Sequence, residues 1–258
     1  MKVVLFCGGM GTRMREYSET IPKPLVNVGH KPIIWHLMRH FAHFGHTDFV
    51  LCLGYKGDLI RQYFLNYNAV LSEDCRLEKG LARRLREGSD VQDWNIDFID
   101  TGQHRNIGER LMAVRHLLQN EEAFLANYSD QLCDIDLDAY LAQAKAIGKI
   151  ASVVAVRPSG SYHRLVPDAD GTVNRIGPWS DAELWINGGY MLLRQAIFDH
   201  IEPGEELVEQ PFQRLVDKRQ LYCYRHTGFW KAMDTYKDKL SFDEAHERGD
   251  RPWEVWRR

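Results

Sequence analysis

The sequence predicts an α/β protein, a three-layer α/β/α sandwich around a mostly parallel sheet. Two observations support this prediction. Along the first half of the chain, apolar and β-branched runs alternate with segments whose apolar residues recur at helical spacing. Such alternation implies βαβ units, which cover both faces of a parallel sheet with helices. The chain also has 258 residues, 44% of them hydrophobic, which is enough for a sizeable core and too apolar for a disordered protein.

The first half supplies most of this pattern. A buried strand is predicted over residues 2–7 and runs directly into Gly8 and Gly9. Four helices are predicted over residues 32–44, 59–64, 108–118 and 137–146, and four further strands over residues 49–53, 94–99, 124–127 and 150–156. Residues 72–89 are strongly charged, and we interpret them as a solvated surface insertion, with a binding role as the alternative.

The second half is less regular and adds a small β embellishment. A hairpin is predicted over residues 165–173, with its turn at residues 168–171, and a strand over residues 185–193. A helix over 207–216, a short strand over 221–224 and a closing helix over 236–248 follow. We interpret residues 1–258 as one domain, made of a first half over residues 1–134 and a second half over residues 135–258.

The composition excludes several classes of function. The formal net charge is −3, so the chain lacks the global basic field of a nucleic-acid-binding protein. No apolar run approaches the roughly 20 residues that a membrane-spanning helix needs. The five cysteines are scattered without CxxC spacing, which predicts neither a disulfide framework nor a zinc site. We therefore expect a cytoplasmic protein with no nucleic-acid or membrane partner.

The most informative motif is the glycine-rich run over residues 8–13, which follows the first strand. It is not a Walker A motif, and Met14 stands where the dinucleotide fingerprint has its third glycine. Glycines still let the backbone approach a ligand and point N–H groups at an anion. Arg13 adds a fork of donors suited to phosphate, and Lys23 lies between two prolines on a stiff segment that can return to the same place. Together they predict a phosphate site.

This run and several later motifs resemble the sugar-1-phosphate nucleotidyltransferase family, especially its glucose-1-phosphate cytidylyltransferase branch. The later motifs occupy residues 22–36, 53–57, 100–102, 108–111, 128–130, 186–189, 228–230 and 233–235. The resemblance spans nearly the whole chain. It implies a Rossmann-like sheet of the nucleotidyltransferase, or glycosyltransferase-A-like, type, with a nucleotide-binding first half and a sugar-binding second half.

The resemblance also implies roles for individual residues. Asp130 and Asp234 match the two aspartates that bind Mg²⁺ (or Mn²⁺), a hard cation that prefers carboxylate and phosphate oxygens. Arg13 and Lys23 would act on the phosphates in catalysis. The nucleotide-binding residues would be Gly8, Gly9, Gly11, Thr12, Arg13, Lys23, Thr101, Gly102 and Arg110. The sugar-binding residues would be Tyr128, Arg157, His163, Asn187, Gly188 and Trp230, with a structural turn as the alternative for Asn187.

One segment departs from the family pattern. The family carries Glu-Lys-Pro before the Asn-Gly-Gly strand, and its lysine binds the phosphate of the sugar 1-phosphate. Here Pro178 is kept, but Gly177 occupies the lysine position, and Arg175 is a candidate substitute. Arg157, at the end of a strand that should reach the sugar pocket, either forms a structural ion pair or engages the anomeric region of the sugar. His163 is either an acid–base group or a structural histidine.

Three hypotheses follow from this combination. The first is a metal-dependent mutase that interconverts pyranose and furanose forms of a nucleotide-sugar, with Arg157 as the group at C1. The alternative is nucleotidyl transfer, in which a nucleoside triphosphate and a sugar 1-phosphate give a nucleotide-sugar and pyrophosphate. The third is a catalytically silent sensor of nucleotide-sugars, which the two aspartates disfavour. A homo-oligomer is compatible with the Trp-rich tail over residues 251–258, although we favour packing of the tail on its own domain.

Overall fold

The computed structural model describes residues 1–9, 20–71, 75–84, 91–158, 163–178 and 184–257. Its strands are β1 (Val3–Phe6), β2 (Asn27–Val28), β3 (Lys31–Pro32), β4 (Asp48–Leu53), β5 (Cys75–Glu78), β6 (Leu81–Arg84), β7 (Asn95–Asp100), β8 (Ala123–Asn127), β9 (Gln131–Cys133), β10 (Ala151–Val156), β11 (His163–Pro167), β12 (Val173–Pro178), β13 (Ile186–Arg194), β14 (Leu221–His226) and β15 (Trp230–Ala232). Its α-helices are α1 (Ile33–His43), α2 (Gly57–Leu65), α3 (Ile107–Val114), α4 (Leu137–Ile147), α5 (Gln210–Asp217) and α6 (Tyr236–Glu247).

A seven-stranded sheet in the order β14-β10-β13-β8-β1-β4-β7 forms the middle layer. The pairs β1–β4, β1–β8, β4–β7 and β10–β14 are parallel, and β13 is antiparallel to both of its neighbours. The predicted mostly parallel sandwich is therefore confirmed. The carboxyl ends of the parallel strands meet at one edge of the sheet, where open α/β sheets bind their ligands.

The core lies on both faces of this sheet. In β1, Val3 and Leu5 pack in one cluster, while Val4 and Phe6 pack in the other, as the two-residue period of a strand requires. The first cluster includes residues of α1, α2, α4 and α6, and the second includes residues of α3 and α5. This arrangement gives the three layers that the sequence predicts.

Most predicted elements lie within a few residues of their observed bounds. The helix predicted from residue 207 begins at Gln210 instead, because Leu207 is buried in the turn before it. The predicted hairpin is formed by β11 and β12, and its turn is closed by the N–H of Gly171 donating to the Asp168 carbonyl at 3.0 Å. The described part of the charged insertion is a second hairpin, β5–β6, with Leu77 and Leu81 exposed. Every helix in the described ranges is too short or too polar to cross a bilayer.

Candidate active site

A cavity of about 470 Å³ opens at the carboxyl edge of the sheet. Its described lining comes from the segments after β1 and β8, from the start of β13, and from β15 and the residues that follow it. These residues are Phe6, Cys7, Gly9, Lys23, Pro24, Ile107, Tyr128, Ser129, Asp130, Gln131, Ile186, Asn187, Trp230, Ala232 and Asp234. Seven of the residues that the sequence singled out therefore lie together: Gly9, Lys23, Tyr128, Asp130, Asn187, Trp230 and Asp234.

Lys23 lies between the two aspartates that the resemblance assigns to a metal. Its Nζ is 2.6 Å from Asp130 Oδ2 and 2.7 Å from Asp234 Oδ1. Burial by itself would lower the pKa of Lys23, but Asp130 and Asp234 outweigh burial, so the pKa is raised and the ammonium stays protonated. Both carboxylates thus contact the same positively charged group, the Lys23 ammonium. A divalent cation that prefers carboxylate oxygens fits the same pair.

Local backbone structure positions the side chains of Lys23, Asp130 and Asp234. Lys23 begins a 3₁₀ turn, Lys23–Leu25, that the flanking prolines stiffen. Ser129 adopts a left-handed conformation (φ 68°), its N–H donates to Asn127 Oδ1, and its hydroxyl donates to the Phe6 carbonyl at 2.8 Å. This turn directs Asp130 out of the end of β8. The N–H of Met233 donates to the Asp130 carbonyl at 2.8 Å, which holds Asp234 opposite.

Arg110 is buried and contacts Gly8, the first residue of the glycine-rich run. Its Nη2 donates to the carbonyl of Gly8 at 3.1 Å, and its Nη1 donates to the Thr101 hydroxyl at 2.7 Å and to the Gly102 carbonyl at 2.8 Å. A Cβ on Gly8 would lie 2.1 Å from Arg110 Nη1, so this position requires glycine. Arg110 therefore ties the segment after β1 to the one after β7, and its role toward the nucleotide phosphates stays a prediction. Thr101 and Gly102 lie beside it, outside the described cavity lining.

Tyr128, Asn187 and Trp230 form a wall on the other side of the cavity. Asn187 Nδ2 donates to the Tyr128 hydroxyl at 3.1 Å, and Trp230 Nε1 donates to the Gly188 carbonyl at 2.9 Å. A Cβ on Gly188 would lie 2.8 Å from a methyl of Val156, so this glycine lets β13 approach β10 closely. Burial raises the pKa of Tyr128, which keeps its hydroxyl neutral. The wall offers hydroxyl, amide and aromatic groups, as a sugar site needs.

Some of the remaining predicted residues are described by the structure, and the others lie outside the described residues. Arg157 is exposed, and its guanidinium lies 5.5 Å from the ring centroid of Trp185, outside the described cavity lining. Gly177 pairs with Arg164 across the β11–β12 hairpin. Gly11, Thr12 and Arg13 and the side chain of His163 lie outside the described residues. The assigned roles of all these residues stay predictions.

Gln131, Trp185 and Arg225 were missed by the sequence analysis. Gln131 lines the cavity, and its amide fills the space that a Cβ on Gly189 would take, at 1.6 Å from its Nε2. Its position directly after Asp130 in the sequence could have indicated that it lines the same cavity. The guanidinium of Arg225 lies 5.6 Å from the ring centroid of Trp185, on the side chain that Arg157 also contacts. Strand alternation could have placed Arg225 on this face, but only with the register known.

A second cluster of potential metal ligands lies at the ends of β9 and β14. Ligand atoms of Cys133, Asp134 and His226 lie within 4.8 Å of one another. Asp134 Oδ1 already accepts hydrogen bonds from the N–H of Phe229 at 2.8 Å and pairs with His226 Nε2 at 3.0 Å. Burial raises the pKa of the Cys133 thiol, which disfavours the thiolate that a metal needs. We therefore assign this cluster to fixing the turn between β14 and β15.

Comparisons with known proteins identify the family of this chain. Residues 2–238 match the protein family described as nucleotidyl transferase. The chain is 37% identical to a glucose-1-phosphate cytidylyltransferase of Salmonella typhi, over 99% of this chain and 100% of the relative. It is 33% identical to a probable glucose-1-phosphate cytidylyltransferase of Bacillus subtilis, over 99% of this chain and 100% of the relative. The chain therefore belongs to the nucleotidyl transferase family, and it is an enzyme of that fold.

Solved structures show the same fold. A UDP-glucose pyrophosphorylase complexed with UDP-glucose superimposes with a TM-score of 0.70 at 15% identity, covering 96% of this chain and 98% of that one. HddC from Yersinia pseudotuberculosis superimposes with a TM-score of 0.66 at 21% identity, covering 95% and 99%. Among the hypotheses from the sequence, the sequence relatives favour nucleotidyl transfer over the mutase, which they do not support.

Proposed function

We propose that the protein transfers a cytidylyl group from CTP to glucose 1-phosphate and releases pyrophosphate. The observation that carries this proposal is the likeness to glucose-1-phosphate cytidylyltransferase along the whole chain, at 37% identity. The cavity supports it, because a cation-binding pair of carboxylates lies next to a wall suited to a sugar. The same arrangement would serve other bases and hexoses, so the choice of CTP and glucose rests on the relatives.

The reaction joins two anionic phosphates. A phosphate oxygen of glucose 1-phosphate attacks the α-phosphorus of CTP, the bond from that phosphorus to the β-phosphate oxygen breaks, and its electron pair leaves with pyrophosphate. Catalysis of such a step depends on positioning and on neutralising the charge that develops on the phosphates. Asp130 and Asp234 would hold Mg²⁺ or Mn²⁺, which supplies part of that positive charge when bound.

The chain's own residues would do the rest. The ammonium of Lys23, which contacts both carboxylates, would bind a phosphate oxygen of the nucleotide. The segment after β1, held by Arg110, presents Gly8 and Gly9 to the nucleotide. The neutral Tyr128 hydroxyl accepts from Asn187 and is left to donate to a hydroxyl of the sugar.

Phosphorus NMR on two mixtures tests this proposal. The first contains the protein, Mg²⁺, glucose 1-phosphate and one nucleoside triphosphate at a time, and the second contains the protein, Mg²⁺ and intact nucleotide-hexoses. We expect pyrophosphate and a new diphosphate-sugar signal in the first mixture, with CTP as the best substrate. Pyrophosphate with another triphosphate only would overturn the choice of base. A new diphosphate-sugar signal in the second mixture alone would instead establish the mutase.

The variant Asp234→Asn provides the matched test of the site. It removes one of the two carboxylates around Lys23, and we expect the rate to fall by at least about a hundredfold. Asp243→Asn removes a carboxylate from the same region of sequence, where Asp243 pairs with Lys239 on α6, and its rate should equal that of the unmodified protein. Equal rates for the two variants would contradict the assignment of Asp234.

A further inference from the structure

We propose that Arg157 and Arg225, which both contact the ring of Trp185, form the subsite that binds the phosphate of the incoming sugar 1-phosphate. This proposal rests on the proposed function, since it names the residues for one of its two substrates. The chemical class of the ligand is a phosphate monoester dianion, which two guanidinium groups suit because each presents parallel N–H donors.

The charge of the cavity creates the need for such a subsite. Lys23 is the one cationic side chain in the described cavity lining, and it is engaged with Asp130 and Asp234. The reaction brings the phosphates of the triphosphate and a second phosphate dianion into this space. Gly177 offers no side chain, and Arg175 pairs with Val166 on the β11–β12 hairpin, which is separate from the seven-stranded sheet. The second phosphate therefore needs cations from another part of the edge.

The pairing of the strands brings Arg157 and Arg225 to that edge. Ala155 of β10 pairs with Asn187 on one side and with Arg225 on the other. Val156 pairs with Ile186, so the same register places Arg157, the next residue, opposite Trp185. Paired residues point to the same face of a sheet, and neighbouring strands lie about 5 Å apart. Arg225 and Arg157 thus share a face with Asn187, which lines the sugar end of the cavity.

The arrangement of the two guanidinium groups also indicates anion binding. Their Cζ atoms lie 5.5 Å and 5.6 Å from the ring centroid of Trp185, within the range of cation–π contacts. Two like charges therefore converge on one ring. Neither has an acidic partner within the described ranges of the chain, and Arg157 and Arg225 are both exposed. An anion bound by both would relieve their repulsion, and both side chains already contact the Trp185 ring.

Binding measurements on Arg157→Gln, Arg225→Gln and the double variant test the proposal. Saturation-transfer NMR gives the dissociation constants of glucose 1-phosphate and of methyl α-glucoside, which lacks the phosphate. We expect each single variant to weaken glucose 1-phosphate binding by about tenfold and the double variant by more, with methyl α-glucoside unchanged. Arg175→Gln tests the other candidate, on the β11–β12 hairpin, and it should leave both constants unchanged. Arg248→Gln, at an exposed arginine directly after α6, is the matched control.

Kinetics supply the second measurement. In the pyrophosphate-release assay, the KM for glucose 1-phosphate should rise by about tenfold in each single variant, while the KM for CTP and the melting temperature stay constant. Loss of binding in Arg175→Gln with the double variant unaffected would overturn the proposal. So would variants that weaken glucuronic acid 1-phosphate but leave glucose 1-phosphate unchanged, because the subsite would then bind a second acidic group. If no triphosphate yields pyrophosphate, the proposed function fails, and the NMR constants still decide the subsite.

Discussion

In this site, Lys23 and a divalent cation would compete for the same two carboxylates. Its ammonium occupies the space between Asp130 and Asp234, where a divalent cation would take its own oxygen ligands. Its pKa is raised, so raising the pH within the neutral range does not release it. On the proposed function, a metal ion would have to displace this positive charge, and a phosphate would then be the new partner of Lys23. We therefore propose that metal binding is coupled to nucleotide binding.

The coupling predicts an increase in metal affinity when the lysine is removed. In Lys23→Met, we expect Mn²⁺ to bind the nucleotide-free protein about tenfold more tightly than it binds the unmodified protein, because no ammonium competes. Electron paramagnetic resonance of free Mn²⁺ measures this constant without any turnover. Lys239→Met, which removes a lysine paired with Asp243 on α6, is the control and should not change it. Weaker Mn²⁺ binding in Lys23→Met would contradict the competition.

At the same scale, the sequence predicts some site residues better than others. Asp130 becomes a candidate through the family resemblance, and its place after a buried strand supports it, because open α/β sheets bind ligands at the carboxyl ends of their strands. Asp234 lies after the three-residue strand β15 and becomes a candidate through the family resemblance alone. The contacts of Arg110 could not be predicted, because its guanidinium is satisfied by carbonyls of Gly8, Leu53 and Gln103, which only the folded chain brings together.

Among the elements, the Trp-rich tail packs on its own domain, as expected. Trp253 is 1% exposed, and its ring centroid lies 5.5 Å from that of Phe242 in α6 and 5.6 Å from that of Phe229. Glu254 is also buried, and its Oε2 forms an ion pair with Arg257 Nε at 2.6 Å. The tail therefore covers α6 and the segment that leads into β15, which in turn positions Asp234.

Truncation of Trp253 should destabilise the whole protein. We expect Trp253→Ala to lower the free energy of unfolding by about 3–5 kcal/mol, the usual cost of emptying a buried aromatic site. Urea denaturation followed by circular dichroism measures the change. Leu240→Ala, at a residue of α6 that is 42% exposed, should cost much less. A Trp253→Ala cost below that of Leu240→Ala would show that the tail does not contribute to the core.

Four of the strands that the sequence missed share a physical cause. Strands β2, β3, β9 and β15 have two or three residues each, which is too short for a two-residue period to be recognised. Their existence depends on partners far away in sequence, as when Trp230, Lys231 and Ala232 pair with Cys133, Leu132 and Gln131. The long elements carry their own periodicity, so they were predicted to within a few residues.

For the molecule as a whole, two buried histidines of α1 link folding to protonation. His36 Nε2 donates to the Val28 carbonyl and His40 Nε2 to the Ile135 carbonyl, both at 3.0 Å, and a carbonyl can only accept, so these nitrogens carry the proton. Burial lowers the pKa of His36 to about 3, with His246, Lys31 and Arg251 adding repulsion. Burial likewise lowers the pKa of His40 to about 4. Both imidazoles are therefore neutral in the folded protein.

These lowered pKa values predict a loss of stability in weak acid. In the unfolded chain, each histidine takes up a proton below a pH of about 6.5. In the folded chain, the same histidines take up a proton only at about pH 3–4. The free energy of unfolding is therefore unaffected by these two groups above about pH 6.5 and falls as the pH decreases below it. Each histidine should cost about 2 kcal/mol at pH 5. Urea denaturation at pH 7.5 and pH 5 measures the difference, which should shrink by about that amount in His36→Gln. The exposed His104→Gln is the control, and an equal pH-dependent loss in both variants would show that proton uptake by His36 does not limit stability.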